Sequence, residues 1–156
     1  MSKYYIGIMC GTSLDSIDVS IASITSTKMK VKSFNEYKLG KDLKRQINLA
    51  KKNNHPIKVL NKISVDITNL VCECIKDILS KNKLTYKDIE ALGFPGITLN
   101  HRPDLKISTF IGDAALLAKK LKIRVIADFR QTDIDAGGQG APLTGIFHKY
   151  LNEITK

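Results

Sequence analysis

Tyr4-Tyr5-Ile6-Gly7-Ile8-Met9-Cys10-Gly11-Thr12-Ser13-Leu14-Asp15-Ser16-Ile17-Asp18 begins as an apolar run and breaks at a small polar turn. The run from Tyr4 to Cys10 reads as a buried strand, and Gly11-Thr12-Ser13 as the tight turn that ends it. Beyond the turn, Asp18 to Ile24 alternates: Val19, Ile21 and Ala22/Ile24 are apolar, with Ser20 and Ser23 between them. That period of two predicts a second strand. Lys28 to Lys38 alternates more weakly and reads as a third. The N-terminal region is therefore expected to be a β-meander around a Gly/Thr/Ser/Asp turn.

Downstream the period changes. Leu43, Ile47 and Ala50 predict a helix over Lys41–Lys52, ended by Asn53-Asn54-His55-Pro56. Leu60, Ile63, Ile67, Leu70, Val71, Cys74, Ile75 and Ile78 recur at steps of three and four, which predicts a long core helix over 57–81. Ile89–Phe94 reads as a strand, with Gly93-Phe94-Pro95-Gly96 as the turn that follows. Ile107–Ile111 reads as a strand, Ala114–Leu121 as a helix opened by Gly112-Asp113, and Arg124–Ala127 as a short buried strand. A polar, glycine-rich loop is expected over Asp133–Pro142 and a helix over Leu143–Ile154. Antiparallel strands followed by alternating helices and strands suit an α/β fold, a mixed sheet with flanking helices.

Composition narrows the function classes. The chain has 156 residues, 43% of them apolar, which is enough for one packed domain or one lobe of a larger enzyme. No apolar run approaches the roughly 20 residues that span a bilayer. The first six residues lack the regions of a secretory signal. The expectation is a soluble, cytoplasmic protein with no membrane partner. Cys10, Cys72 and Cys74 form neither a disulfide framework nor a zinc spacing, so they read as reduced structural thiols. The net charge of +10 comes mainly from lysine. The four arginines, Arg45, Arg102, Arg124 and Arg130, are scattered and not interleaved with aromatics. No specific nucleic-acid partner is expected, only a diffusely basic surface.

Three stretches carry chemistry. Gly11-Thr12-Ser13-Leu14-Asp15 can aim successive N–H groups and two hydroxyls at phosphate oxygens, and Asp15 or Asp18 can hold Mg²⁺ through water. It is not a Walker A loop, and a hairpin turn braced by Ser, Thr and Asp side chains would look the same. Asp128-Phe129-Arg130 ends a buried strand, and the C-terminal edge of a central strand is where open α/β sheets place reactive groups. Asp128 suits a general base and Arg130 a charge-balancing cation; a loop aspartate capping the next turn is the other reading. Gly137-Gly138-Gln139-Gly140-Ala141-Pro142 has three glycines in four positions, a density that implies unusual backbone angles or close approach to a ligand.

Taken together, these stretches resemble the anhydro-N-acetylmuramic acid kinases. The matching pieces are Gly11-Thr12-Ser13-Leu14-Asp15-Ser16-Ile17-Asp18, His101-Arg102-Pro103, Ile111-Gly112-Asp113, Ala127-Asp128-Phe129-Arg130, Asp133-Ile134 and Ala136–Leu143. The resemblance implies an actin-like, ribonuclease-H-like sugar-kinase lobe that uses ATP and Mg²⁺ to open and phosphorylate 1,6-anhydro-N-acetylmuramic acid, a sugar recycled from the cell wall. It places the catalytic base at Asp128 and the ATP phosphates at Gly11, Thr12, Ser13, Leu14, Asp15, Ser16, Ile17 and Asp18. It places the anhydrosugar near Thr98, Arg130, Gly138 and Gln139. Family members are longer, so residues 1–156 are expected to form the N-terminal lobe, with the C-terminal lobe missing. The expected partner is then a separately encoded C-terminal lobe or a second copy. The chain departs from the family pattern at Ser16, at Pro95-Gly96-Ile97-Thr98, at Phe110 and at Gly145. Pro95 and Ile97 are read as polar groups lost from a substrate-facing turn. With the chain's length, this gives the alternative of a non-catalytic remnant or a sugar- or phosphate-binding module.

Overall fold

The computed structural model describes residues 3–25, 28–52 and 55–154. Asn53 and Asn54 of the expected helix break lie outside them. Strands β1 (Tyr4–Met9), β2 (Ser16–Ile24) and β3 (Met29–Lys38) form the antiparallel meander that the alternation predicts. Ile6 of β1 lies opposite Ile21 of β2, and Ile8 opposite Val19; all four are buried. A one-residue slip would turn Ser20 and Asp18 into the core, so the hydrophobic pattern fixes the register.

Helices α1 (Lys41–Lys52) and α2 (Ile57–Lys81) follow, with the bounds that periodicity predicts. Pro56 precedes α2 with extended backbone, φ −54° and ψ 141°, and sets its start. Ile63, Ile67, Val71, Ile75 and Ile78 are at most 1% exposed. Each such side chain contributes about 1.5–3 kcal/mol of burial free energy. Cys72 and Cys74 are both buried free thiols but face different neighbours. Cys72 lies beside Lys120 and Leu121, whereas the field of Cys74 reaches Tyr37 of β3. Burial raises both thiols above their ordinary value, Cys74 to about 11, so neither is a ready nucleophile.

A 3₁₀ turn (Tyr86–Asp88) leads into β4 (Ile89–Phe94), which runs parallel to β1. Strands β5 (Ile97–Arg102) and β6 (Ile107–Ile111) make a separate antiparallel hairpin. Helix α3 (Ala114–Leu121) is followed by β7 (Val125–Ala127), parallel to β4, then α4 (Phe129–Asp135) and α5 (Gly145–Ile154). The main sheet has the order β3-β2-β1-β4-β7. This mixed sheet with flanking helices is the ribonuclease-H-like lobe expected from the resemblance.

Three local expectations need correction. The segment read as a turn continues into β5: Ile97 pairs with Ile111 and is 2% exposed, so it belongs to the core and not to a substrate-facing surface. The strand before Asp128 is not a buried central one. Among the described residues β7 is the sheet's edge, and Ile126 is 50% exposed. The polar stretch after Asp128 is helical as far as Asp135, so the loop begins at Ala136.

A polar clip joins β3 to α2. Tyr37 donates its hydroxyl hydrogen to Asp77 at 2.7 Å, and Lys81 pairs with the same oxygen at 2.7 Å. Lys81 and Tyr37 hold Asp77 below the usual carboxylate value, while burial and then Asp77 raise Tyr37. A carboxylate that titrates lower in the folded chain adds stability above its unfolded value. That stability is lost as pH falls through the folded value, here from roughly pH 4 downward. Urea midpoints followed from pH 7 to pH 2.5 should therefore fall less steeply on the acid limb for Asp77→Asn than for the parent. The variant should also be the less stable of the two at pH 7.

Candidate functional site

Parallel strands β1, β4 and β7 all end at one edge of the sheet. The chain leaves β1 through the Gly11–Asp15 turn, β4 through Pro95-Gly96 and β7 through Asp128. Two strand spacings separate β1 from β7, roughly 10 Å. The topology thus brings the phosphate-type turn and the candidate base to the same rim, although 113 residues separate Asp15 from Asp128 (128 − 15).

The turn is closed by the Leu14 N–H, which donates to the Gly11 carbonyl at 3.0 Å. Leu14 has left-handed backbone, φ 57°, and its side chain is fully buried. With that apolar anchor below, Thr12 and Ser13 are exposed above it. The eight-residue expectation therefore divides. Leu14 and Ile17 are core side chains at 0% exposure, so only their backbone can face a phosphate. Ser16 donates its hydroxyl hydrogen to Asp18 at 2.7 Å. What remains on the turn is the backbone of Gly11, Thr12 and Ser13 and the Thr12 hydroxyl, while the Ser13 hydroxyl donates to Asp15.

Two lysines that sequence reading missed reach this turn from α1. Lys44 pairs with Asp15 at 2.6 Å, and Lys51 donates to the Thr12 carbonyl at 3.4 Å. The Lys44 and Ser13 hydrogen bonds hold Asp15 below its ordinary value. This bears on Mg²⁺. Asp15 already carries an ammonium partner and is a poor ligand. Asp18 spends one oxygen on a neutral hydroxyl, and a second oxygen remains for a water-mediated contact. Among the described residues no three His, Cys, Asp or Glu side chains converge to hold a metal by themselves.

Asp128 has left-handed backbone, φ 61° and ψ 31°, at the N-terminus of α4. A non-glycine residue there carries strain of order 1–3 kcal/mol, which the surroundings must enforce. The enforcing contacts are visible: Phe129 packs over Gly93 on β4, and the Asp128 carbonyl accepts from Thr132 at 3.0 Å. The carboxylate itself caps no N–H of α4, which removes the reading of Asp128 as a capping aspartate. It is exposed at the rim, left over for chemistry.

The glycine-rich loop is folded back onto α4. Arg130 donates to the Gly140 carbonyl at 2.6 Å, and Asp133 accepts from the Gly140 N–H at 2.7 Å. The Gly138 N–H donates to the Asp133 carbonyl at 2.8 Å, and a Cβ at Gly138 would overlap the Asp133 carboxylate. Arg130 is thus engaged in shaping the loop, while Gly138 and Gln139 stay exposed on it. Thr98 on β5, opposite Phe110 on β6, is half-buried. The hairpin is held to α4 by Gln131, which accepts from the Ser108 N–H at 2.9 Å and donates to the Lys106 carbonyl at 3.1 Å. His101 lies against the same loop: a Cβ on Gly140 would sit 3.1 Å from its ring. Ile111-Gly112-Asp113 proves architectural, since Asp113 caps α3 through the Leu116 N–H at 2.8 Å.

Comparison with known proteins converges on one group. The family model described as anhydro-N-acetylmuramic acid kinase matches residues 3–155. The chain is similar to the anhydro-N-acetylmuramic acid kinase of Hydrogenovibrio crunogenus, with 36% identity over 151 residues, covering 96% of this chain and 41% of that protein. Similarity to the same-named protein of Sulfurimonas denitrificans is 35% over 153 residues, covering 97% and 42%. For that of Methylorubrum populi it is 38% over 169 residues, covering 97% and 45%. The chain spans about two-fifths of the length of the relatives it matches. It belongs to the anhydro-N-acetylmuramic acid kinase family.

Proposed function

We propose that this chain supplies one lobe of a cytoplasmic, ATP-dependent kinase that opens and phosphorylates 1,6-anhydro-N-acetylmuramic acid. The observation that carries the reading is Asp128: a strained, uncapped, exposed carboxylate at the end of β7, on the same sheet edge as the Gly11–Asp15 turn. In this reading Asp128 accepts a proton from a water as that water's oxygen bonds to the anomeric carbon. The bond from that carbon to the bridging oxygen breaks, and the freed oxygen at position 6 takes the γ-phosphoryl group of ATP. The N–H groups of Gly11, Thr12 and Ser13 and the Thr12 hydroxyl hold phosphate oxygens, with the Ser13 hydroxyl joining them as it turns from Asp15. Mg²⁺ would supply neutralisation of phosphate charge, and Asp18 is the residue that would hold it, through water. Phosphoryl transfer asks the protein mainly for positioning and charge neutralisation, which a braced turn and a fixed carboxylate provide. The tethered loop presents Gly138 and Gln139 to the sugar, with Arg130 as the residue that shapes it.

A second lobe completes the site in this reading, as the length of the relatives supports. Closing two lobes excludes water and assembles the reacting groups. Burial of Ile97 in the core weakens one of the two grounds for reading the chain as a remnant, since that side chain packs inward, while Pro95 stays partly exposed in the corner before it. The test is product formation from ATP and 1,6-anhydro-N-acetylmuramic acid. Residues 1–156 alone should give none, and adding the remaining segment of a relative, fused or separate, should restore it. Turnover by residues 1–156 alone would overturn the two-lobe reading. Saturable sugar binding with no turnover in the complemented protein would favour a binding module.

A further inference from the structure

We infer that Lys51 is the cation that receives a polyphosphate's charge at the Gly11–Asp15 turn, an assignment that rests on the phosphate-binding reading of that turn. The turn has no lysine of its own, so neutralising charge must come from elsewhere in the fold. Lys44 and Lys51 are seven residues apart, close to two helical turns, so one face of α1 presents both to the turn. Their electrostatic situations differ. The charge of Lys44 is spent on Asp15 at 2.6 Å. Lys51 touches only a neutral carbonyl, that of Thr12 at 3.4 Å, and pairs with no carboxylate among the described residues. Its field reaches Cys10 at the start of the turn, where it opposes the fields of Asp15 and Asp18. Lys51 therefore sets an unspent positive charge beside exposed phosphate-type donors.

A cleft of about 670 Å³ borders Lys51 on the side of the β5–β6 hairpin. Lys51, Lys52, His55, Asn100 and Thr109 are among its lining residues, and none of the lining residues is acidic. The His55 Nε2 in it is buried and has no hydrogen-bond partner. A groove lined by one sign of charge draws counter-ions toward itself. This one lies next to the turn through Lys51 and, among the described residues, has no acidic side chain in its lining to oppose an anion seated at Thr12 and Ser13.

Binding of inorganic tripolyphosphate to the chain, measured by calorimetry at low ionic strength, tests the assignment. Lys51→Ala should weaken binding about tenfold or more, with an unchanged melting temperature. Lys51→Arg should keep affinity within about threefold, and Lys119→Ala, which removes the same charge from the outer face of α3, should leave it unchanged. If Thr12→Val/Ser13→Ala weakens binding while Lys51→Ala does not, the lysine assignment fails and the turn reading stands. If neither change matters, or the parent binds no tripolyphosphate, the turn reading fails and takes the assignment with it.

Discussion

Asp128→Asn should lower turnover of the complemented kinase by roughly 10²–10⁴-fold, the range that a positioned general base supplies. The substitution keeps size and shape but removes the negative charge and the ability to accept a proton. Asparagine also tolerates left-handed backbone, so the φ of 61° at this position remains accessible. No hydrogen bond that holds α4 is lost, because the carboxylate caps no N–H there. Melting should thus be nearly unchanged while turnover collapses, which separates a chemical role from a structural one. Asp128→Ala should lose turnover to a similar degree but also strain the backbone, since alanine gains nothing from this conformation. Retained turnover in Asp128→Asn would place the base elsewhere. Loss of both turnover and fold would make Asp128 architectural.

Much of this site was legible in the sequence because its parts are local. The Gly11–Asp15 turn is announced by the strands on either side, and α2 by an apolar stripe with one period. What stayed hidden depends on contacts between distant segments. Lys44 and Lys51 reach the turn across 29 and 39 residues, and nothing in the spacing of α1 shows which face meets it. Helix α4 has only Phe129 and Ile134 as apolar residues, too few for a helical stripe. It is held by Gln131 bonds to the hairpin and by the Arg130 bond to its own loop. Strand β5 was masked by Pro95-Gly96, which reads as a turn but is a two-residue corner before a buried isoleucine. The φ of 66° at Gly96 lets the chain pass beneath the Phe110 ring, where any Cβ would overlap it. Phe110 is thus part of the packing that demands this glycine.

Gly112→Ala should destabilise the fold by about 4 kcal/mol, combining roughly 1–3 for a glycine-only backbone angle with about 1–3 for overpacking. The φ of 120° lies outside the left-handed well that other residues occasionally occupy, and a Cβ there would overlap the ring of Phe94. Neither side can yield. Phe94 is 2% exposed at the end of β4 and pairs with Ala127, the residue before Asp128. The Gly112 N–H is fixed to the Ser64 hydroxyl at 2.8 Å, and the Asp113 N–H to the Thr68 hydroxyl at 2.9 Å. A loss of about 4 kcal/mol is a large part of the roughly 5–15 kcal/mol that holds a domain together. It should lower the melting temperature by about 8–16 °C, scaling from about 2–4 °C per kcal/mol at this size. Gly40→Ala makes the control, since a Cβ there meets nothing within 4 Å, and its effect should stay within about 0.5 kcal/mol. Ser64→Ala should fall between the two, at about 1–3 kcal/mol, because it strands a partly buried N–H without touching Phe94. A Gly112→Ala loss below about 1 kcal/mol would mean that the ring relaxes freely. In that case the end of β4, and with it the setting of Asp128, is softer than the packing around Phe94 implies.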